Sequence, residues 1–149
     1  MEIVVIGCGK VGKTLVEHLA MEGHNVVVID TNQKNVEEIV NSYDVMGICG
    51  NGAIHDIQME AGVNKADLFI SVTSSDEVNL ISCLIARKIG AKNLIARVRN
   101  PDYASQISFM RDGLGISLMI NPEKAAADEI ARILRFPSAL KVDTFAKGL

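Results

Sequence analysis

Short apolar runs alternate along the chain with stretches whose apolar residues recur every three or four positions. "EIVVIG" is a β-branched run. In "KVGKTLVEHLAMEG" after it, Val11, Leu15, Val16 and Leu19 share one helical face, and Gly23 stops the helix. "NVVVID" predicts a second strand, and "NQKNVEEIVNSY" a helix facing inward through Val36, Ile39 and Val40. "DVMGICG", "ADLFISVT", "KNLIARV" and "GISLMI" predict four more strands. The helices between and after them are "AIHDIQMEAG", "SDEVNLISCLIARKIG", "PDYASQISFMRDG" and "NPEKAAADEIARILR". Pro101 opens one helix; Asn121 and Pro122 open the last as N-cap and first residue. "SDEVNLISCLIARKIG" is apolar nearly all round, through Val78, Ile81, Leu84, Ile85 and Ile89, which predicts burial on several sides.

Six strand–helix units with continuously apolar strands predict a parallel sheet covered on both faces. Right-handed crossovers make it an α/β, Rossmann-like, doubly wound sheet in the order 3-2-1-4-5-6. These units occupy residues 1–135, the expected dinucleotide-binding domain. In the last fifteen residues, "RFPSALKVDTFAKGL", Pro137 breaks the rhythm. Residues 136–149 read as a linker and the start of a second lobe, with a simple tail as the alternative.

The 149 residues suit one domain with a short extension, and 48% hydrophobic content supplies a core. Net charge is −3 and aromatics are 4%, which argues against a nucleic-acid partner. No apolar run approaches the roughly 20 residues that span a bilayer. The first six residues read as a strand rather than a leader, so the expectation is a cytoplasmic protein. Cys8, Cys49 and Cys83 are odd in number and widely spaced, which suggests reduced thiols and no metal site.

The candidate chemistry lies at strand ends. In "VVIGCGKVGK", Gly7, Gly9 and Gly12 follow a strand and open a helix. Gly7 allows the turn, Gly9 a close approach by pyrophosphate, and Gly12 tight packing of helix on strand. Cys8, Lys10 and Val11 complete the loop, whose helix N-terminus attracts phosphate. Asp30 ends the second strand, followed by Thr31; a carboxylate there accepts from both ribose hydroxyls and repels a 2′-phosphate, favouring NAD(H). Asp30 as a simple turn former is the plainer alternative. "CGNG" ends the third strand near an expected adenine, with Gly50 and Asn51 as contacts. "VTSSDEVN" ends the fourth and holds Thr73, Ser74, Glu77 and Asn79; Ser74 and Glu77 read as a capping box. Arg97 or Arg99, after the fifth strand, can face an anion or be solvated. His18, His24 and His55 read as surface residues, and the six units leave no room for a substrate domain. No catalytic group is therefore expected, although the cofactor lobe of a small NAD-dependent reductase stays open.

"VIGCGKVG", "VVVID", "CGNGA", "ADLFISVTSSDEVNL", "IARVRNP" and "INPEKAAADEIARIL" together resemble the Trk potassium-uptake regulators, ligand-sensing domains also called KTN or RCK domains. "FPSAL" and "VDTFAKG" resemble the family's passage into its second lobe. The resemblance implies a non-enzymatic regulatory subunit that binds NAD(H) or adenine nucleotides. It also implies a homodimer, assembling further beneath a membrane potassium transporter or channel at the inner face of the membrane. By position, Gly7, Gly9 and Gly12 would hold phosphates, Asp30 the ribose, and Thr73, Asp76, Glu77 and Asn79 the nicotinamide or phosphate side. Arg97 matches the family arginine after the fifth strand. Asn51 stands where many members carry Asp. Lys10 stands where ATP-binding relatives place an arginine, so ATP/ADP remains an alternative ligand. The helices 78–89 and 122–135 would supply dimer contacts, and "RNPDYA" a hinge.

Overall fold

The structure is a computed structural model that describes residues 1–135, the side chains of 110–112 aside. The assigned linker, 136–149, lies outside the described residues. The elements run β1 (Glu2–Ile6), α1 (Lys10–Met21), β2 (Asn25–Asp30), α2 (Gln33–Ser42), β3 (Met46–Cys49), α3 (His55–Glu60), a 3-10 turn (Val63–Lys65), β4 (Leu68–Ser71), α4 (Asp76–Ile89), β5 (Leu94–Arg97), α5 (Pro101–Leu114), β6 (Leu118–Ile120) and α6 (Pro122–Arg135). All pairings are parallel, and the sheet order is β3-β2-β1-β4-β5-β6, as expected from the alternation.

Alternation along the central strand feeds two cores. Val4 and Ile6 point to one, with Phe69, Cys83, Ala86, Leu94 and Ala96; Ile3 and Val5 point to the other, with Val16, Val28, Ile39 and Ile70. Side chains from α3, α4 and α5 join the first core and those from α1 and α2 the second. Full burial of Phe69 alone contributes roughly 1.5–3 kcal/mol.

The ladder continues one residue past each strand. Gly7 N–H donates to Ile29 O (2.9 Å), Val72 N–H to Ile6 O (2.8 Å) and Gly50 N–H to Asp30 O (2.9 Å). The loops after β1, β2, β3 and β4 therefore leave the sheet at one level along its carboxyl edge. Connections diverge to either side between β1 and β4, which opens a crevice there.

Two local expectations are corrected. The N-cap of α4 is Ser75, whose Oγ accepts from Val78 N–H (3.2 Å), rather than Ser74. Glu77 lies one position short of N3 and only receives a hydrogen bond from the Ser75 hydroxyl (3.1 Å), while Ser75 N–H donates to Thr73 Oγ1, so the reciprocal box is not formed. Nor are all the large apolar residues of α4 buried, although Leu80 and Ile89 pack partly buried against the first core. Asp76, Asn79, Ser82, Cys83 and Ala86 face inward, while Ile81 and Leu84 stay 48% and 41% exposed. Small residues let the helix lie close over β4 and β5. The observed β6 is a three-residue strand, shorter than the apolar run "GISLMI".

Candidate functional site

The crevice is a cleft of about 520 Å³ between the loops after β1, β2, β3, β4 and β5. Its size suits a nucleotide-class ligand. The glycine loop forms its floor. Gly7 has φ +103°, and a Cβ there would lie 2.9 Å from the backbone of Val72 and Thr73. The loops after β1 and β4 thus touch backbone to backbone, which only glycine permits. A Cβ on Gly12 would sit 1.7 Å from the Gly7 carbonyl oxygen, whereas one on Gly9 would meet nothing within 4 Å. Gly9 is the N-cap of α1 and makes no side-chain cap, and the first turn carries no acidic residue. The amides at this helix end are unclaimed by any capping side chain, and their partial positive charge faces the cleft.

Asp30 is half-buried and holds the loop from the side. Its Oδ2 accepts from Cys8 N–H and its Oδ1 from Asn32 N–H, both at 2.7 Å. Each oxygen keeps a second lone pair, so the carboxylate can still accept hydroxyls from the cleft. Cys8 lies beneath the loop with 0% exposure. Burial pushes its thiol up to about 12, Asp30's charge adding and Lys13 opposing. On the third-strand side, Asn51 Oδ1 accepts from Ala53 N–H (2.9 Å). The buried Gln58 donates to Gly52 O (2.7 Å) and Ser82 O (3.0 Å), tying this loop to α4.

The opposite wall is cationic. Arg97 is nearly buried, its guanidinium pairs with Glu123 in the first turn of α6, and its Nε has no partner. Arg99 reaches across to the Ser74 carbonyl. Glu123 is held below the usual carboxylate range by its own backbone amide and, opposing its desolvation, by Arg97. Glu77 turns away from the cleft. Its own backbone amide, then Tyr103 and Ser75, lower its pKa, and Tyr103 Oη donates to it at 2.8 Å.

Of the residues singled out in the sequence, Gly7, Gly9, Lys10, Val11, Asp30, Thr31, Gly50, Asn51, Thr73, Ser74 and Arg97 line the cleft together. Cys8, Gly12, Glu77 and Asn79 do not line it; Cys8 and Gly12 shape the loop from below, and Asn79 is fully buried behind Thr73. Sequence reasoning passed over Asn32, Asn35 and Val78, which also line it, together with the apolar walls Ile6, Ile29 and Val72. Asn32 carried a signal, since it caps α2 by accepting from Lys34 N–H (2.9 Å) right after Asp30. Arg99 lines the cleft alongside Arg97, so both arginines face it rather than one. His18 and His55 are exposed, and His24 sits by the N-terminal amine. Among the described residues no cluster of His, Cys, Asp or Glu suits a metal ion, and no helix is long and apolar enough to cross a membrane.

Residues 3–122 match the TrkA-N domain family. A Trk system potassium uptake protein TrkA homolog of Archaeoglobus fulgidus is 42% identical over 99% of this chain. The chain spans about a third of that relative's length, 34%. The crystal structure of the TrkA-N domain of inner membrane protein ybaL from Escherichia coli superposes with a TM-score of 0.79 at 24% identity, covering 89% of this chain and 96% of that one. The GsuK channel, solved bound to NAD and bound to ADP, superposes at 0.67 with 20% identity, over 80% of this chain and 21% and 31% of those chains. Fold and carboxyl-edge cleft agree with this grouping, and the chain belongs to the TrkA-N domain family.

Proposed function

We propose that this chain is the ligand-sensing domain of a potassium-uptake regulator. It binds NAD(H) in the carboxyl-edge cleft and switches the conformation of a homodimer to control a membrane potassium transporter or channel at the cytoplasmic face. The observation that carries the reading is the pairing of an uncapped glycine helix end with Asp30, whose free lone pairs face the same cleft. Phosphates find amides there, a ribose finds a carboxylate, and a 2′-phosphate meets a like charge. The relatives' potassium-uptake names and the NAD-bound channel relative support the same assignment. Support for the dimer comes from the outer side of α4. Leu80 and Leu84 meet Tyr103, Ile107, Leu114 and Ile116 in an apolar groove of about 220 Å³, with Ile81 exposed on the same helix. Two ligands that bind two dimer states unequally shift their populations; equal binding shifts nothing.

A second reading, with ATP or ADP as the ligand, is favoured by the two arginines and the unpartnered Arg97 Nε at the end away from Asp30. An anionic terminus would satisfy them better than a neutral nicotinamide. Calorimetric titration with NAD⁺, NADH, NADPH, ATP and ADP, with oligomer size read by light scattering, tests both. NADH binding at least tenfold tighter than NADPH, and lost on Asp30→Ala, supports the first reading. ATP binding tightest, and weakened most by Arg97→Met, supports the second. No binding by any of the five overturns both.

A further inference from the structure

Helix α4 buries polar residues where apolar ones are expected, and its Asp76, Asn79 and Ser82 recur at three-residue spacing on the inner face, at 8%, 0% and 0% exposure. Burying a polar group costs free energy unless it is bonded; the Ser82 hydroxyl has no partner, whereas the side chains of Asp76 and Asn79 are fully engaged. Asp76 sends both carboxylate oxygens to another loop: each lies 3.1 Å from Arg99 N–H, and Oδ2 lies 2.8 Å from Asn100 N–H. Asn79 uses both ends of its amide. Its Oδ1 accepts from Ser71 Oγ (3.0 Å) and Thr73 N–H (2.9 Å), with Thr73 Oγ1 at 2.7 Å; its Nδ2 donates to Thr73 O (3.1 Å) and Arg97 O (2.9 Å). The Arg99 guanidinium closes the circuit on the Ser74 carbonyl.

We propose that Asp76 and Asn79 are positioning residues that lock the Thr73–Ser75 turn and the Arg97–Asn100 arm into one unit on α4, so that ligands long enough to reach the arginines are held more tightly than a nucleoside monophosphate. The proposal rests on the nucleotide reading and deepens it. An ordinary helix-end role does not account for Asp76. An acid in the first turn favours the helix dipole from any surface position, as Glu77 does, with no need to be buried or aimed at a second loop. β5 ends at Arg97, so the sheet no longer directs Arg99 and Asn100, and the Asp76 carboxylate takes up both their amides. Long cationic side chains lose less freedom on binding when their backbone is already fixed.

The test compares Asp76→Ala and Asp76→Asn with the parent chain, titrating AMP, ATP and NADH by calorimetry and following amide hydrogen exchange without ligand. Asp76→Ala is expected to weaken ATP and NADH at least tenfold while AMP stays within twofold, because AMP reaches the glycine loop without the arm. Asp76→Asn keeps one acceptor and is expected to fall between. Without ligand, exchange in Asp76→Ala should quicken at Arg99 and Asn100 and also across Thr73–Ser75, with the β1 amides unchanged. Equal loss for AMP, ATP and NADH overturns the proposal. So does quickening confined to Arg99 and Asn100. If the parent chain binds none of the three, the nucleotide reading fails, and the exchange pattern alone decides whether the two loops form one unit. If Asp76→Ala does not fold, Asp76→Asn carries both comparisons, with the same pattern at smaller amplitude expected.

Discussion

Two glycines three residues apart should fail in opposite ways when given a methyl group. In Gly12→Ala the new Cβ would lie 1.7 Å from the Gly7 carbonyl oxygen and 2.8 Å from its carbon. Real Cβ contacts essentially never fall below 3.0 Å, so α1 must retreat from the loop by more than about 1 Å. The obstacle is backbone fixed by the Gly7 N–H bond to Ile29 O, so no side chain can swing aside. Overpacking costs about 1–3 kcal/mol, and the upper end applies where the opposing atom cannot move. At roughly 3 °C per kcal/mol for a chain of this size, melting should drop by about 10 °C. In Gly9→Ala the Cβ meets nothing within 4 Å, and the backbone (φ −72°, ψ −166°) suits any L-residue. Losing glycine at an N-cap costs about 0.5 kcal/mol, and the stiffer unfolded chain returns a similar amount. Its melting point should stay within about 2 °C of the parent. The same methyl stands where a pyrophosphate would approach, so nucleotide affinity should fall at least about tenfold. Thermal melts by circular dichroism, with titration at one temperature, separate the cases. A Gly12→Ala protein as stable as the parent, or a Gly9→Ala protein that melts 10 °C lower, would refute the geometry of the loop.

Four further outcomes follow from particular side chains. Asp30→Ala removes two 2.7 Å bonds and leaves the buried Cys8 amide without its acceptor, so urea unfolding without ligand should show a loss of about 1–3 kcal/mol. An unchanged midpoint would mean that the carboxylate does not brace the loop. Cys8 and Cys83 are buried and their thiols are pushed up to about 12, while Cys49 is exposed, so one thiol in the native chain should react quickly with an aromatic disulfide at pH 8 and three after denaturation. Because the unfolded chain gives up these two protons near pH 9 and the folded chain holds them to about 12, stability should fall through that window by about 1.4 kcal/mol per pH unit for each thiol. Loss of that alkaline slope in a Cys8→Ala, Cys83→Ala double variant checks the sign. Arg97→Lys keeps the charge but not the planar fork, so anion affinity should drop about tenfold with little change in melting, measured by titration of ATP; equal affinity would show that Arg97 acts as a point charge.

The strand order was legible because each strand is a short β-branched run and each crossover long enough to be right-handed. The glycine loop and Asp30 were legible because their spacing is dictated by backbone approach rather than by side-chain packing. The inside of α4 was not. Periodicity ranks Ile81 and Leu84 as core candidates, yet the buried positions of α4 are the small or polar Asp76, Asn79, Ser82, Cys83 and Ala86, and the hydrophobic pattern carries no measure of interlayer distance. The Ser75 cap escaped for a similar reason, because adjacent serines offer the same hydroxyl and the turn after β4 chooses between them. Asn32 and Asn35 reach the cleft only because α2 starts right at the carboxyl edge, which strand and helix boundaries in a sequence do not resolve to one residue.

The cleft is therefore built from two kinds of recognition. On the side of β1 and β2 the recognition groups are main-chain amides, which donate, and a half-buried carboxylate, which accepts, fixed by the sheet itself through Gly7, Cys8 and Asp30. Among the described residues, Lys10 is the one cationic side chain lining this side, so contacts here lose less to added salt than those on the arginine side. On the side of β4 and β5 the donors are guanidinium groups, held by α4 and by Glu123 of α6, a residue 52% exposed at its side chain. Exposed ionic contacts weaken as the screening length shortens from about 10 Å at 0.1 M to about 3 Å at 1 M salt. A ligand confined to the first side should bind with a shallow salt dependence, and one reaching both sides with a steeper one. The difference between the two slopes reports how much of the binding is carried by the arginines, whichever nucleotide is bound.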